Sequence, residues 1–172
     1  MSATDNAQPE SDGARRAREA LEASGIEHRI LVSTVPARSL AEAAEQRGIE
    51  PRDIVKSLVV RRGSGDYVFV LVPGDREISW PKLRAHLGVN RLSMPPADKA
   101  KEATGYERGT ITPFGSTTAW PVVADASLDE AGRVISLGAG AHGVAVTVEA
   151  RAALAWLGAT VADVTEPAGR RG

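Results

Sequence analysis

Seven short apolar stretches divide the chain, each of strand length and rich in β-branched residues. They are HRILV (28–32), IVKSLVVRR (54–62), YVFVLV (67–72), PVVAD (121–125), RVISL (133–137), VAVTV (144–148) and TVADV (160–164). Gly63-Ser64-Gly65-Asp66 separates the second from the third and predicts a hairpin. Between the strands the pattern turns helical. The helical stretches end at Gly25, Gly48, Gly88, Gly105 and Gly158, where a residue without Cβ can take the left-handed conformation that closes a helix. Ser39-Leu40-Ala41-Glu42 reads as a capping box opening a helix to about Arg47. Ser79 caps a helix that takes Pro81 in its first turn and stops at Gly88. Pro95 and Pro96 start another, ending near Thr104. Helices and strands interleave without strict β-α-β repetition. The expected class is therefore α+β, a mixed curved β-sheet with peripheral helices. Polar, aperiodic residues 1–13 read as a disordered tail and EPAGRRG (166–172) as a frayed end, leaving one domain over 14–165.

Composition narrows the chemistry. The 172 residues are enough for a real core, and 42% hydrophobic with 25% charged is ordinary for a soluble globular chain. No apolar run approaches the ~20 residues of a membrane span, and MSATDNAQPESDG carries no apolar signal region, so a cytoplasmic location is expected. Cysteine is absent, which removes disulfides, thiolate metal sites and a Cys nucleophile together. No His/Asp/Glu cluster has metal-ligand spacing, so neither a metal nor another cofactor is expected. The net charge of -1 provides no bulk attraction to nucleic acid.

Lysine occurs only at 56, 82, 99 and 101. The last three fall on predicted helices. Lys56 lies inside a strand, on the face of Ile54, Leu58 and Val60. Two readings of it stand side by side: an amine snorkelling to water, or an ammonium at the rim of an apolar pocket, held for an anionic or polarised oxygen. The run LGAGAHGV places Gly138, Gly140 and Gly143 in a G-x-G-x-x-G pattern after a strand. A dinucleotide site needs a helix to start at those glycines, whereas the alternating VAVTV follows. A strand connection passing close to a ligand is the more natural reading. Of three histidines, His28, His86 and His142, the last is placed near a site. One lysine and two glycine-rich loops able to bind an oxyanion through N–H groups remain.

Taken in order, IVKSLVV, LVPGDREISWPKL, ATGYERGTITPFG, VVADASL and GAGAHGVAVTVEARAALAWLGATVADV resemble the YbaK/prolyl-tRNA synthetase editing-domain family over about residues 26–164. The resemblance implies hydrolysis of mischarged aminoacyl-tRNA, whose acceptor end enters a small pocket, without metal or covalent enzyme intermediate. Lys56 matches the family lysine that holds the substrate near its phosphate or ester. Gly105, Gly109, Pro113, Phe114 and Gly115 match a signature loop that walls the aminoacyl end. Gly138, Gly140 and His142 fall on a second loop. Thr110 and Gly138 depart from members that remove cysteine from tRNA for proline, which often carry glycine and serine there.

The expected function is a free-standing deacylase acting on tRNA for proline charged with alanine, serine or cysteine, with a prolyl-tRNA synthetase as partner and no membrane association. Two alternatives accompany it: a binding module of the same fold without turnover, and a dinucleotide-dependent enzyme using GAGAHG.

Overall fold

A computed structural model describes residues 9–169. Among the described residues five α-helices and nine strands follow one another in mixed order. They are α1 (Asp12–Ser24), β1 (His28–Val32), α2 (Leu40–Arg47), β2 (Val55–Gly63), β3 (Asp66–Pro73), β4 (Arg76–Ile78), α3 (Trp80–Leu87), α4 (Ala97–Thr104), β5 (Val122–Asp125), β6 (Val134–Gly138), β7 (Val144–Glu149), α5 (Ala150–Leu157), β8 (Thr160–Ala162) and β9 (Thr165–Pro167). The glycines expected to close helices sit at the C-caps of all five, each left-handed.

The α+β class and the mixed pairing are as expected, but the strands divide among three sheets. Strands β1, β7 and β6 form an antiparallel sheet. Strands β2, β3, β5 and β8 form the mixed one: β2 runs antiparallel to β3, while β3, β5 and β8 are parallel. The short β4 and β9 pair with each other.

Burial follows from sequence. YVFVLV is apolar throughout because β3 is covered on both faces. Tyr67, Phe69 and Leu71 join the larger core with α1, α4, β6 and β7. Val68, Val70 and Val72 join the smaller core, with Leu83 of α3. Alternation along β2 does the same, sending Val55 and Val59 to the first core and Leu58 and Val60 to the second.

Both expected chain ends are corrected. Helix α1 begins at Asp12, inside the segment read as a tail, because Ser11 accepts a hydrogen bond from the N–H of Ala14. Ala17 and Leu21 then anchor the helix in the core. Strand β9 likewise extends to Pro167, inside the segment read as frayed. Residues 1–8 and 170–172 of those two segments lie outside the described residues.

Candidate active site

The sheets part along the outer edge of β2. Ile54 bridges Ser136 at one end, and Arg61 exchanges backbone hydrogen bonds with Ser93 at the other. Among the described residues no strand pairs with β2 on that side between these bridges. Since Arg61 turns its N–H and C=O outward, two-residue alternation turns those of Val59 and Ser57 outward as well. A cleft of 340 Å³ fills the gap. Ile54 to Val59 form its long wall, Met94, Pro95 and Ala100 its side, and Arg108, Gly109, Ile111 and Gly138 the opposite wall.

The entry to β2 is held firmly. Buried Arg133 bonds the Asp53 carboxylate at 3.0 Å and the carbonyls of Ser127 and Arg52 at 2.6 and 2.7 Å. Every arm of its fork is thus matched, which lets the charge be buried and fixes the turn that feeds Lys56 into the wall.

Lys56 is half-buried in that wall, and its Nζ donates to the carbonyl of Arg76 at 2.6 Å. Burial lowers its pKa below the ordinary lysine value, against the opposing pull of Glu77 and Asp75. Two arginines join it in the lining. Arg108 donates to the carbonyl of Pro95 at 3.1 Å. Arg47, at the end of α2, donates to the hydroxyl of fully buried Ser136 at 3.1 Å. The lining therefore contains three cationic side chains and no carboxylate. Ser57 adds a hydroxyl that is buried and, among the described residues, has no hydrogen-bond partner.

The glycine-rich loop splits into parts with different surroundings. Its ends are packed inward. Gly105 caps α4, Tyr106 and Phe114 are buried in the core, and Gly115 lies against the Arg16 carbonyl of α1. Pro113 lies between these packed residues, outside the cleft lining. Only the middle of the loop, Arg108, Gly109 and Ile111, reaches the cleft. Thr110 is buried between them. Its hydroxyl and its N–H both donate to the Glu107 carbonyl, at 2.7 and 2.9 Å, and its own carbonyl accepts from the N–H of Gly140 at 3.1 Å. The two glycine loops are thereby joined backbone to backbone. Gly140 has φ +90°, and a Cβ there would lie 2.3 Å from the Gly13 carbonyl of α1, so no larger residue fits without displacing the helix.

Of the expected site residues, the structure gathers Lys56, Gly109 and Gly138 around one cleft. Gly105, Thr110, Gly140 and His142 border a second hollow, under the start of α1. His142 is exposed, 3.9 Å from Glu107. The glycines of GAGAHG are followed by strand β7, and the next helix starts only at Ala150, so no helix begins at them as a dinucleotide motif requires. Arg47, Arg108 and Ser57 were not legible as site residues. Arg47 reads as a solvated cation in a last helical turn, and only the tertiary fold carries it to Ser136. Among the described residues no group of three or more His, Cys, Asp or Glu could hold a metal ion, and no helix is long and apolar enough to cross a membrane.

Comparison with known proteins gives a consistent picture. The family model of the aminoacyl-tRNA editing domain matches residues 34–154. The chain is 38% identical to the proline–tRNA ligase of Thermosipho melanesiensis over 99 residues, 58% of this chain and 17% of that one. It is 34% identical to the ligase of Citrifermentans bemidjiense over 116 residues, 64% of this chain and 20% of that one. The matched region thus spans a fifth or less of these curated relatives. A crystal structure described as a candidate trans-editing enzyme for prolyl tRNA synthetase is similar at TM-score 0.78 and 29% identity, covering 91% of this chain and 98% of that one. A crystal structure of a hypothetical protein matches at TM-score 0.78 and 28% identity, covering 88% and 99%.

Proposed function

The chain belongs to the aminoacyl-tRNA editing domain family, and from that premise we propose that it is a deacylase acting in trans on mischarged tRNA. The observation that carries this reading is the cleft itself: Lys56, Gly109 and Gly138, distant in sequence, line one small space with cationic and apolar walls and no acid. Such a space suits the end of an aminoacyl-tRNA, which pairs a small side chain with an anionic backbone.

An aminoacyl ester is already activated, so the site has to orient it and stabilise charge. In the proposed reaction a water oxygen attacks the ester carbonyl carbon and the carbonyl oxygen becomes an oxyanion. The bond to the ribose oxygen then breaks, the ribose oxygen takes one of the water's protons, the other passes to solvent, and the amino acid leaves as a carboxylate. The N–H groups of Gly109 and Ile111 are the donors assigned to the oxyanion. Among the described residues neither has an acceptor, whereas those of Thr110 and Gly140 are already engaged. The Lys56 ammonium is assigned to the ester or the neighbouring phosphate, exchanging its bond to the Arg76 carbonyl for one to substrate. The proposed substrate is tRNA for proline carrying alanine, serine or cysteine, delivered by a prolyl-tRNA synthetase, as the names of the ligase relatives and of the similar structure suggest.

The test is release of amino acid from a panel of mischarged tRNAs by purified protein. Release from tRNA for proline charged with a small amino acid, lost in Lys56→Ala, is expected. Binding without release from any member would replace the deacylase with a binding module.

A further inference from the structure

Arg47 stands on a threshold. It lines the cleft at β2 and also a second, wider hollow of 800 Å³. That hollow lies between the segment Leu31–Ala37 and the turn at His142 and Gly143. Its frame is built. The Ser33 N–H donates to the Gly143 carbonyl at 2.7 Å, and Gln46 donates to the Val35 carbonyl at 3.2 Å. Val32 and Val35 stay 72% and 63% exposed at its rim, an apolar surface without cover. No carboxylate lines either space.

The guanidinium of Arg47 is under-used. It is half-buried and, among the described residues, makes one hydrogen bond, to Ser136 Oγ. Among the described residues no carboxylate lies within 4.0 Å of it. Arg133 shows what a structural arginine looks like in this protein, with three satisfied bonds. The remaining donors of Arg47 are not buried and stay open to a ligand, and a fork of this shape matches a phosphate.

We infer that Arg47 grips the phosphodiester joining the terminal nucleoside of the substrate to the nucleotide before it, and that this preceding nucleotide lies in the hollow between Val32–Pro36 and Gly143. The inference rests on the deacylase reading, which seats the aminoacyl-nucleoside in the neighbouring cleft. The order follows from geometry: one residue touches both spaces, and one anionic link separates two consecutive nucleosides. The exposed valines give the penultimate base an apolar face to lie on.

Non-hydrolysable probes separate the parts: 3′-aminoacylamino-3′-deoxyadenosine carrying alanine, serine or cysteine, the same compound with a 5′-phosphate, and its cytidylyl-(3′→5′) dinucleotide. Their affinities would be measured by calorimetry at fixed ionic strength. In the wild type the phosphate is expected to tighten binding about 10- to 100-fold, the range for a charged hydrogen bond. Arg47→Gln should remove most of that gain, read as the ratio of phosphorylated to unphosphorylated affinity, with any remainder supplied by Lys56. Arg47→Lys should keep part of it, and it carries the test if the glutamine variant fails to fold. Val35→Asp should weaken only the dinucleotide. The inference is overturned if the nucleoside binds but the phosphate gain is absent, or survives intact in both Arg47 variants. If the wild type binds no aminoacyl nucleoside at all, the deacylase reading fails first and this one with it.

Discussion

The phenol of Tyr106 donates a hydrogen bond to the backbone carbonyl of Phe114 at 2.7 Å, and this bond closes the glycine-rich loop on itself. Both residues are buried, and burial pushes the Tyr106 pKa up to about 12, so the donor proton stays in place at any physiological pH. Arg16 of α1 stacks over the same ring, 4.8 Å from its centre. The loop is therefore a fixed object, and Gly109 and Ile111 are presented to the cleft from a rigid base.

Tyr106→Phe should leave the Phe114 carbonyl buried without its donor. The expected loss is about 1–3 kcal/mol of stability, measured by urea denaturation. Turnover should fall less than in Lys56→Ala, because no group assigned to the substrate has been removed. A variant as stable as the wild type would show that the loop is held by packing alone.

Lys56→Ala should change stability little, since the half-buried amine makes a single hydrogen bond among the described residues, to the Arg76 carbonyl. Deacylation should fall by about two to three orders of magnitude, the effect of one preorganised electrostatic group. Arginine at 56 should rescue only in part, because its fork differs from a point charge. In the proposed reaction the working form is the ammonium, and burial lowers its pKa below the ordinary lysine value. Activity should therefore fall as pH rises through that lowered value, with an alkaline limb in kcat/KM at lower pH than an ordinary lysine would give. A profile flat through that region would remove Lys56 from the electrostatic role.

Asp125 offers a test on stability. Burial acts to raise its pKa, but the hydroxyls of Ser127 and Thr165 and the N–H groups of Val164 and Ser127 outweigh it and hold the carboxylate below its usual range. A depressed carboxylate contributes stability that is complete above its unfolded pKa of about 3.9 and is lost as pH falls through the lower folded value. The stability difference between wild type and Asp125→Asn should therefore be constant from about pH 5 to 8 and shrink below about pH 4. A difference that does not change on acidification would mean the carboxylate charge contributes nothing.

Helix ends were the most legible part of the sequence, because a left-handed glycine leaves a local mark independent of tertiary context: Gly25, Gly48, Gly88, Gly105 and Gly158 all close helices. Strand β3 was legible for a similar reason, its unbroken apolar run matching a strand buried on both faces. Strands β4 and β9 were not. Each has three residues with no alternation, and each exists only because the other lies beside it. Within the candidate site, the convergence of Lys56, Gly109 and Gly138 was accessible through a family pattern. The division of the signature loop into a packed frame and an exposed middle was not, because Phe114 and Thr110 owe their burial to α1 and to Gly140, remote in sequence.

The proposed specificity can be tested at Gly138. A Cβ there would meet the Ile111 carbonyl at 3.7 Å and Thr110 backbone atoms at 4.0 Å, ordinary contacts, and Gly138 has no positive φ. Gly109 differs: it sits at φ +91°, and a side chain would be strained whatever the space. Serine should therefore be accommodated at 138, adding a hydroxyl to the lining of the cleft that Lys56 also lines. As the site stands, glycine at 138 leaves room, and the hydroxyl of Thr110 is turned away to the Glu107 carbonyl. The cleft then discriminates by bulk, and one methylene is worth only ~1–3 kcal/mol. Alanine-, serine- and cysteine-charged tRNA for proline should consequently be hydrolysed with kcat/KM values within about two orders of magnitude of one another. Gly138→Ser should shift their ratios while moving the unfolding midpoint little. The three substrates should be measured side by side, with both proteins. A cysteine preference beyond a hundredfold, unchanged in Gly138→Ser, would show that the selecting contacts lie elsewhere in the cleft, with the unpartnered hydroxyl of Ser57 the first group to replace.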